Sequence, residues 1–125
     1  MQKTILLVDD QELIIRVVQA ALRPLGGHLP SAKSGQEAVR YLENNPPPDA
    51  MVLDVSMPGQ DGVETLRQIR LLPSGAEIPV LMLTARDQTL IRKEAEGLKV
   101  FDFITKPFSP NSLQQTVKRM LGMLG

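Results

Sequence analysis

Five short apolar runs punctuate the chain, and after each one apolar residues return every three or four positions. Continuous Val/Ile/Leu runs mark strands buried on both faces, and the longer spacing marks helices laid against them, so the pattern predicts β/α units around a parallel sheet. The first unit joins "TILLV" (residues 4–8) to Leu13, Ile14, Val17, Val18, Ala21, Leu22 and Leu25, and stops at Gly26-Gly27. The second begins with "HLPSA" (residues 28–32), where Pro30 cannot donate to a ladder, so this strand belongs at a sheet edge. Ser34-Gly35-Gln36-Glu37 reads as a capping box opening a helix through Ala38, Val39 and Leu42, which Asn44-Asn45 and three prolines end. "AMVLDV" (residues 50–55) is the third strand; its helix starts near Asp61 and turns Val63, Leu66 and Ile69 or Arg70 inward before Pro73. "PVLMLT" (residues 79–84) precedes a more polar helix over residues 88–96 that Gly97 stops. "VFDFIT" (residues 100–105) leads to a last helix capped by Ser109, with Pro110 at its first position and Leu113, Val117, Met120, Leu121 and Leu124 on one face.

Five such units in 125 residues predict a single α/β domain over residues 1–125. A closed barrel needs eight units and about 250 residues, which leaves an open, doubly wound parallel sheet. Composition narrows the function. Fourteen basic and fourteen acidic residues balance, and no run of like charges suggests a groove for direct nucleic-acid binding or an anionic membrane surface. With no cysteine and one histidine, disulfides and thiolate metal sites are impossible and a zinc site is disfavoured. Neither a signal-like segment nor an apolar run of membrane-spanning length is found, so a soluble, cytoplasmic protein is expected.

In open α/β sheets ligands bind beyond the carboxyl ends of the strands, which makes the residues just after each apolar run the ones that matter. Strand one ends in Asp9-Asp10, strand three in Asp54, strand four in Thr84 and strand five in Lys106. Three carboxylates brought together would repel and resist ionisation unless a cation joined them. All the ligands on offer are oxygens, a set that suits octahedral Mg²⁺. Lys106 would remain as a counter-charge for an anion, and Thr84 as a hydrogen-bond donor to it. Metal, ammonium and hydroxyl are the groups that phosphoryl transfer requires, and a carboxylate can serve as its nucleophile.

Taken in order, "LLVDDQ", "LDVSMPGQDG", "VLMLTA" and "FITKPF" resemble the receiver domain of two-component response regulators, over Lys3 to about Leu121. The resemblance implies a flavodoxin-like (βα)5 fold with sheet order 2-1-3-4-5, which puts strand two at an edge and accommodates Pro30. It implies that Asp54 accepts a phosphoryl group from a phosphohistidine on a histidine kinase or histidine phosphotransfer protein. Asp10, Asp54 and the backbone carbonyl of Ser56 would bind Mg²⁺ directly, and Asp9 mainly through water. Thr84 and Lys106 would contact the phosphoryl oxygens, and Phe103 matches the aromatic position that reorients on activation. The output then lies with an unknown downstream effector or a fused output domain, and a phosphorylation-dependent dimer is left open.

Plainer roles exist for each residue. Asp10 suits a helix cap, Asp54 a turn ahead of Pro58, Thr84 a strand end, and Phe103 the core. A charge set directly on an apolar run is costly, and this favours chemistry at Asp54. Ser56 and Arg86, each two residues beyond a site residue, are placed to affect how water reaches an acyl phosphate. A Mg²⁺-dependent aspartyl-phosphate phosphatase or phosphotransferase is the alternative, but such hydrolases need a second acid where Ser56 stands. One departure from the family is the segment Lys99-Val100-Phe101-Asp102, whose apolar pair suits either core or a contact face.

Overall fold

The computed structural model describes residues 2–57, 60–85 and 88–123. Its sheet is built from β1 (Lys3–Val8), β2 (Gly27–His28), β3 (Ser31–Ala32), β4 (Ala50–Asp54), β7 (Val80–Thr84) and β8 (Asp102–Thr105). A two-stranded antiparallel hairpin, β5 (Ser56–Met57) with β6 (Gln60–Asp61), follows β4. Every pairing in the main sheet is parallel, and the order is β2/β3, β1, β4, β7, β8. Counted as the five expected strands, this is 2-1-3-4-5.

The second strand is split in two. Pro30 offers no N–H, so the ladder breaks at Leu29-Pro30, with Lys3 and Thr4 paired to β2 and Leu7 and Val8 paired to β3. The Pro30 carbonyl still accepts from Leu7 N–H at 2.9 Å. Among the described residues both short strands bond only to β1, the edge position that a proline tolerates.

Alternation along the strands divides the core between two faces. Ile5, Leu7, Val52, Leu81 and Leu83 pack with Ile15, Val18 and Leu22 of α1 (Glu12–Leu22) and Leu113 and Val117 of α5 (Pro110–Met120). Leu6, Val8, Met51, Leu53, Val80 and Met82 face the other way, onto α2 (Gly35–Asn44), α3 (Gly62–Leu71) and α4 (Gln88–Glu94). Helices on both faces are what make the strands apolar without interruption.

The helix ends differ from expectation in instructive ways. Ser34 Oγ accepts from Glu37 N–H at 3.1 Å, but Glu37 returns its bond to Lys33 N–H rather than to Ser34, so the capping box is reciprocal one residue early. Helix α1 closes at Leu22, because Pro24 sits in a following 3-10 turn (Arg23–Leu25) that Gly26 ends at φ 67°. Helix α4 is shorter than residues 88–96, and Gly97 lies beyond it at φ 84°. Strand β8 starts at Asp102 instead of Val100, since Lys99 turns the backbone at φ 60°. Val100 packs half-buried on the core and Phe101 is exposed. Of the pair Ile69 and Arg70, Ile69 is fully buried, while the Arg70 guanidinium donates to the carbonyls of Gly75, Ile78, Leu98 and Lys99. Leu124 lies outside the described residues. Among the described residues no helix is long and apolar enough to cross a membrane.

Candidate functional site

Strand register gathers the predicted residues at one edge of the sheet. Val8 pairs with Leu53, Asp54 with Leu83, and Thr84 with Thr105, so the chain leaves four neighbouring strands at Asp9, Asp54, Thr84 and Lys106 on the same side. Backbone bonds hold the exits in place: Lys106 N–H donates to the Thr84 carbonyl at 2.8 Å, and Val55 N–H to the Leu83 carbonyl at 2.9 Å.

Lys106 Nζ lies 2.8 Å from Asp54 Oδ1 and 3.9 Å from Asp9 Oδ2. Asp54, 1% exposed, also accepts from Ser56 N–H at 3.2 Å on the same Oδ1. Asp9 is equally enclosed, and its Oδ1 accepts from Gln11 N–H at 2.9 Å. That bond settles the capping question: the residue at the N-cap of α1 is Gln11, which makes no side-chain cap, and Asp10 is not used for it.

Oxygens of Asp9, Asp10 and Asp54 lie within 4.8 Å of one another. Asp9 Oδ2 and Asp10 Oδ1 are buried and have no hydrogen-bond partner among the described residues. Leaving two such acceptors unsatisfied is costly, and one lysine cannot neutralise three carboxylates. The strain is visible at Asp9, whose carboxyl is pushed up to about 6. Burial is the chief cause, the charges of Asp54 and Asp10 act in the same direction, and the Gln11 N–H and Lys106 oppose them. A hard divalent cation placed among these oxygens would satisfy the orphaned atoms and remove the repulsion, so the donor set fits such an ion.

The remaining predicted residues are near the cluster or just outside it. Thr84 is fully buried at the end of β7, and Ser56 is exposed at the start of the hairpin. Phe103 is buried in β8 on the α4 side of the sheet, and the guanidinium of Arg92 lies over its ring, 4.6 Å from the centroid. Arg86, Pro58 and Gly59 lie outside the described residues. Two contributors carry no sequence signal for the roles they take. Arg92 meets Phe103 only through the fold, and Gly62 begins α3 so close to β4 that a Cβ would overlap the Asp54 carbonyl oxygen and sit 2.7 Å from Val55 Cα.

Beside Lys106 an apolar groove of about 340 Å³ is lined by Ile14, Val17, Pro107 and Phe108 as well as the lysine stem. Leu13, on the same helix, is 72% exposed.

Comparison with known proteins agrees with this geometry. Residues 5–118 match the model of the response regulator receiver domain. The chain is 39% identical over 121 residues to the alkaline phosphatase synthesis transcriptional regulatory protein PhoP of Bacillus subtilis, covering 97% of this chain and 49% of that protein. It is 38% identical over 120 residues to the response regulator MprA of Mycobacterium sp. (strain KMS), covering 96% and 50%. It thus spans about half the length of these curated relatives. Among solved structures, the chemotaxis response regulator CheY4 of Vibrio cholerae superposes with a TM-score of 0.88 at 28% identity, covering 97% of this chain and 100% of that one. A putative response regulator from Chloroflexus aurantiacus gives 0.88 at 33% identity, with 98% and 99% covered. The arrangement of strand-end acids and lysine, the sheet order and these matches make the chain a member of the response regulator receiver domain family of two-component signal transduction.

Proposed function

We propose that Asp54 is the phosphoacceptor, charged by a phosphohistidine on a histidine kinase or histidine phosphotransfer protein. The observation that carries this is the 2.8 Å contact of Lys106 Nζ with Asp54 Oδ1 beside the orphaned oxygens of Asp9 and Asp10. A carboxylate oxygen of Asp54 attacks phosphorus and the P–N bond breaks. The imidazole nitrogen keeps the electron pair and is protonated. Lys106 turns from Asp54 to the incoming phosphoryl oxygens, and the Thr84 hydroxyl donates to another. Asp10, Asp54 and the Ser56 backbone carbonyl would hold Mg²⁺ directly, and Asp9 mainly through water. When bound, the ion neutralises charge on the transferred group, which is the main demand of this chemistry.

The domain thereby catalyses only its own phosphorylation and dephosphorylation, in the cytoplasm. Ser56 takes the place of the acid that an aspartyl-phosphate hydrolase would use on a metabolite. The groove of Ile14, Val17, Pro107 and Phe108 opens beside Lys106 and suits the apolar face of a phosphodonor helix delivering its histidine to Asp54. Relatives named as transcriptional regulators are about twice this span, which supports a fused output domain as the recipient of the signal.

Incubation with Mg²⁺ and acetyl phosphate, followed by intact mass measurement, tests the assignment. One phosphoryl adduct is expected in the wild type and none in Asp54→Asn. An adduct that persists in the Asn variant would refute it.

A further inference from the structure

Helix α4 buries little of itself against the sheet. Among its described residues Ile91 is the buried one; Arg67 Nη2 donates to the Glu94 carbonyl at 2.9 Å at the far end, and a strip of side chains crosses the free edge of β8 at the near end. At the site end, Gln88 Nε2 donates to Thr105 Oγ1 at 2.7 Å. One turn further on, Arg92 Nη2 lies 3.4 Å from Gln88 Oε1 and 3.8 Å from Asp102 Oδ1, with its guanidinium over the Phe103 ring. Asp102 extends the strip to α5 through Arg119, at 3.5 Å. Arg92 thus touches Gln88, Asp102 and Phe103 together.

We propose that Arg92 is a latch that holds α4 on β8 while Asp54 is unphosphorylated, and that phosphorylation reaches the protein's surface by releasing it. The proposal rests on the phosphoacceptor reading of Asp54. Thr105, which anchors one end of the strip, immediately precedes Lys106 and pairs in register with Thr84. Lys106 now bonds Asp54 Oδ1, so a phosphoryl group on Asp54 forces the lysine and Thr84 to new partners and pulls on the end of β8. The Gln88–Thr105 bond takes up that pull first, and Arg92 next. A planar guanidinium can stack on Phe103 while it also reaches a carboxylate and an amide oxygen; an ammonium has no such plane. With the latch gone, the site end of α4 loses its tie to β8 while Ile91 and the Arg67–Glu94 bond keep the rest, and local opening of that end becomes easier.

The test is amide hydrogen exchange over residues 88–98 in wild type, Arg92→Ala and Arg92→Lys, each with and without Mg²⁺ and acetyl phosphate, with the adduct followed by intact mass. In the wild type exchange is expected to rise on phosphorylation. In Arg92→Ala it is expected to start roughly two- to tenfold faster and to rise little further, although the Asp54 adduct still forms. Arg92→Lys should fall between the two, and it carries the same comparison if Arg92→Ala does not fold. Wild-type exchange in the unphosphorylated variants, or an undiminished rise when they are phosphorylated, would overturn the latch. No adduct in the wild type would instead overturn the phosphoacceptor reading and the release step, leaving the unphosphorylated comparison to judge the hold on α4 alone.

Discussion

Lys106 Nζ meets Asp54 Oδ1 at 2.8 Å although 52 residues separate them in sequence. The contact forms because β4 and β8 both flank β7 in parallel, so their carboxyl ends open on the same edge of the sheet. It places a cation where negative charge gathers, whether on the resting acids or on an incoming phosphoryl group.

Replacing the lysine separates those two tasks. In Lys106→Ala the three acids lose their internal counter-charge, so a divalent cation should bind more tightly than in the wild type. Phosphorylation by acetyl phosphate should nevertheless slow by about 10²-fold, the usual loss when one preorganised donor to a developing charge is removed. Titration of Mg²⁺ binding and the rate of adduct formation by intact mass check the two effects in one preparation. Weaker Mg²⁺ binding in the variant would contradict this account.

Stability should depend on pH through Asp9. Its carboxyl titrates near 6 in the fold against 3.8 for the ordinary group. The raised value means that the folded protein prefers Asp9 protonated. The metal-free protein therefore gains stability as pH falls from above 6 toward 3.8 and gains no more from this group below that. The full effect of Asp9 is on the order of 3 kcal/mol. Asp9→Asn should be more stable than the wild type at pH 7 without metal and should lose that advantage at pH 4, as followed by urea denaturation. Conversely, Mg²⁺ affinity should fall below pH 6, where a proton competes for the Asp9 oxygens.

Gly62 is needed for space. Its backbone turn is ordinary, but a Cβ would run into the Asp54 carbonyl and Val55 Cα, both main chain and unable to move aside. Gly62→Ala should cost about 1–3 kcal/mol in urea denaturation and, by displacing the end of β4, should also slow phosphorylation of Asp54. A variant as stable as the wild type would show that α3 can shift without cost.

Much of this molecule is legible in the chain itself because its signals are local. Continuous apolar runs disclose strands covered on both sides, and Ser34, Asp61 and Ser109 disclose helix starts, since each satisfies an N–H group within three residues. Pro30 discloses an edge strand, because a missing donor has the same consequence in any fold. The acids and the lysine could be picked out in advance, since each stands immediately after an apolar run. What the sequence could not determine depends on distance between segments. The orphaned oxygens of Asp9 and Asp10, the approach of Gly62 to β4, and the four carbonyls gathered by Arg70 exist only once strands and helices have packed. Arg92 is the clearest case: on the chain it is one more charge on a polar helix, and the tertiary structure alone sets it over Phe103. Short-range hydrogen bonding and hydrophobic period are written residue by residue, whereas electrostatic and steric fit between remote segments belongs to the assembled fold.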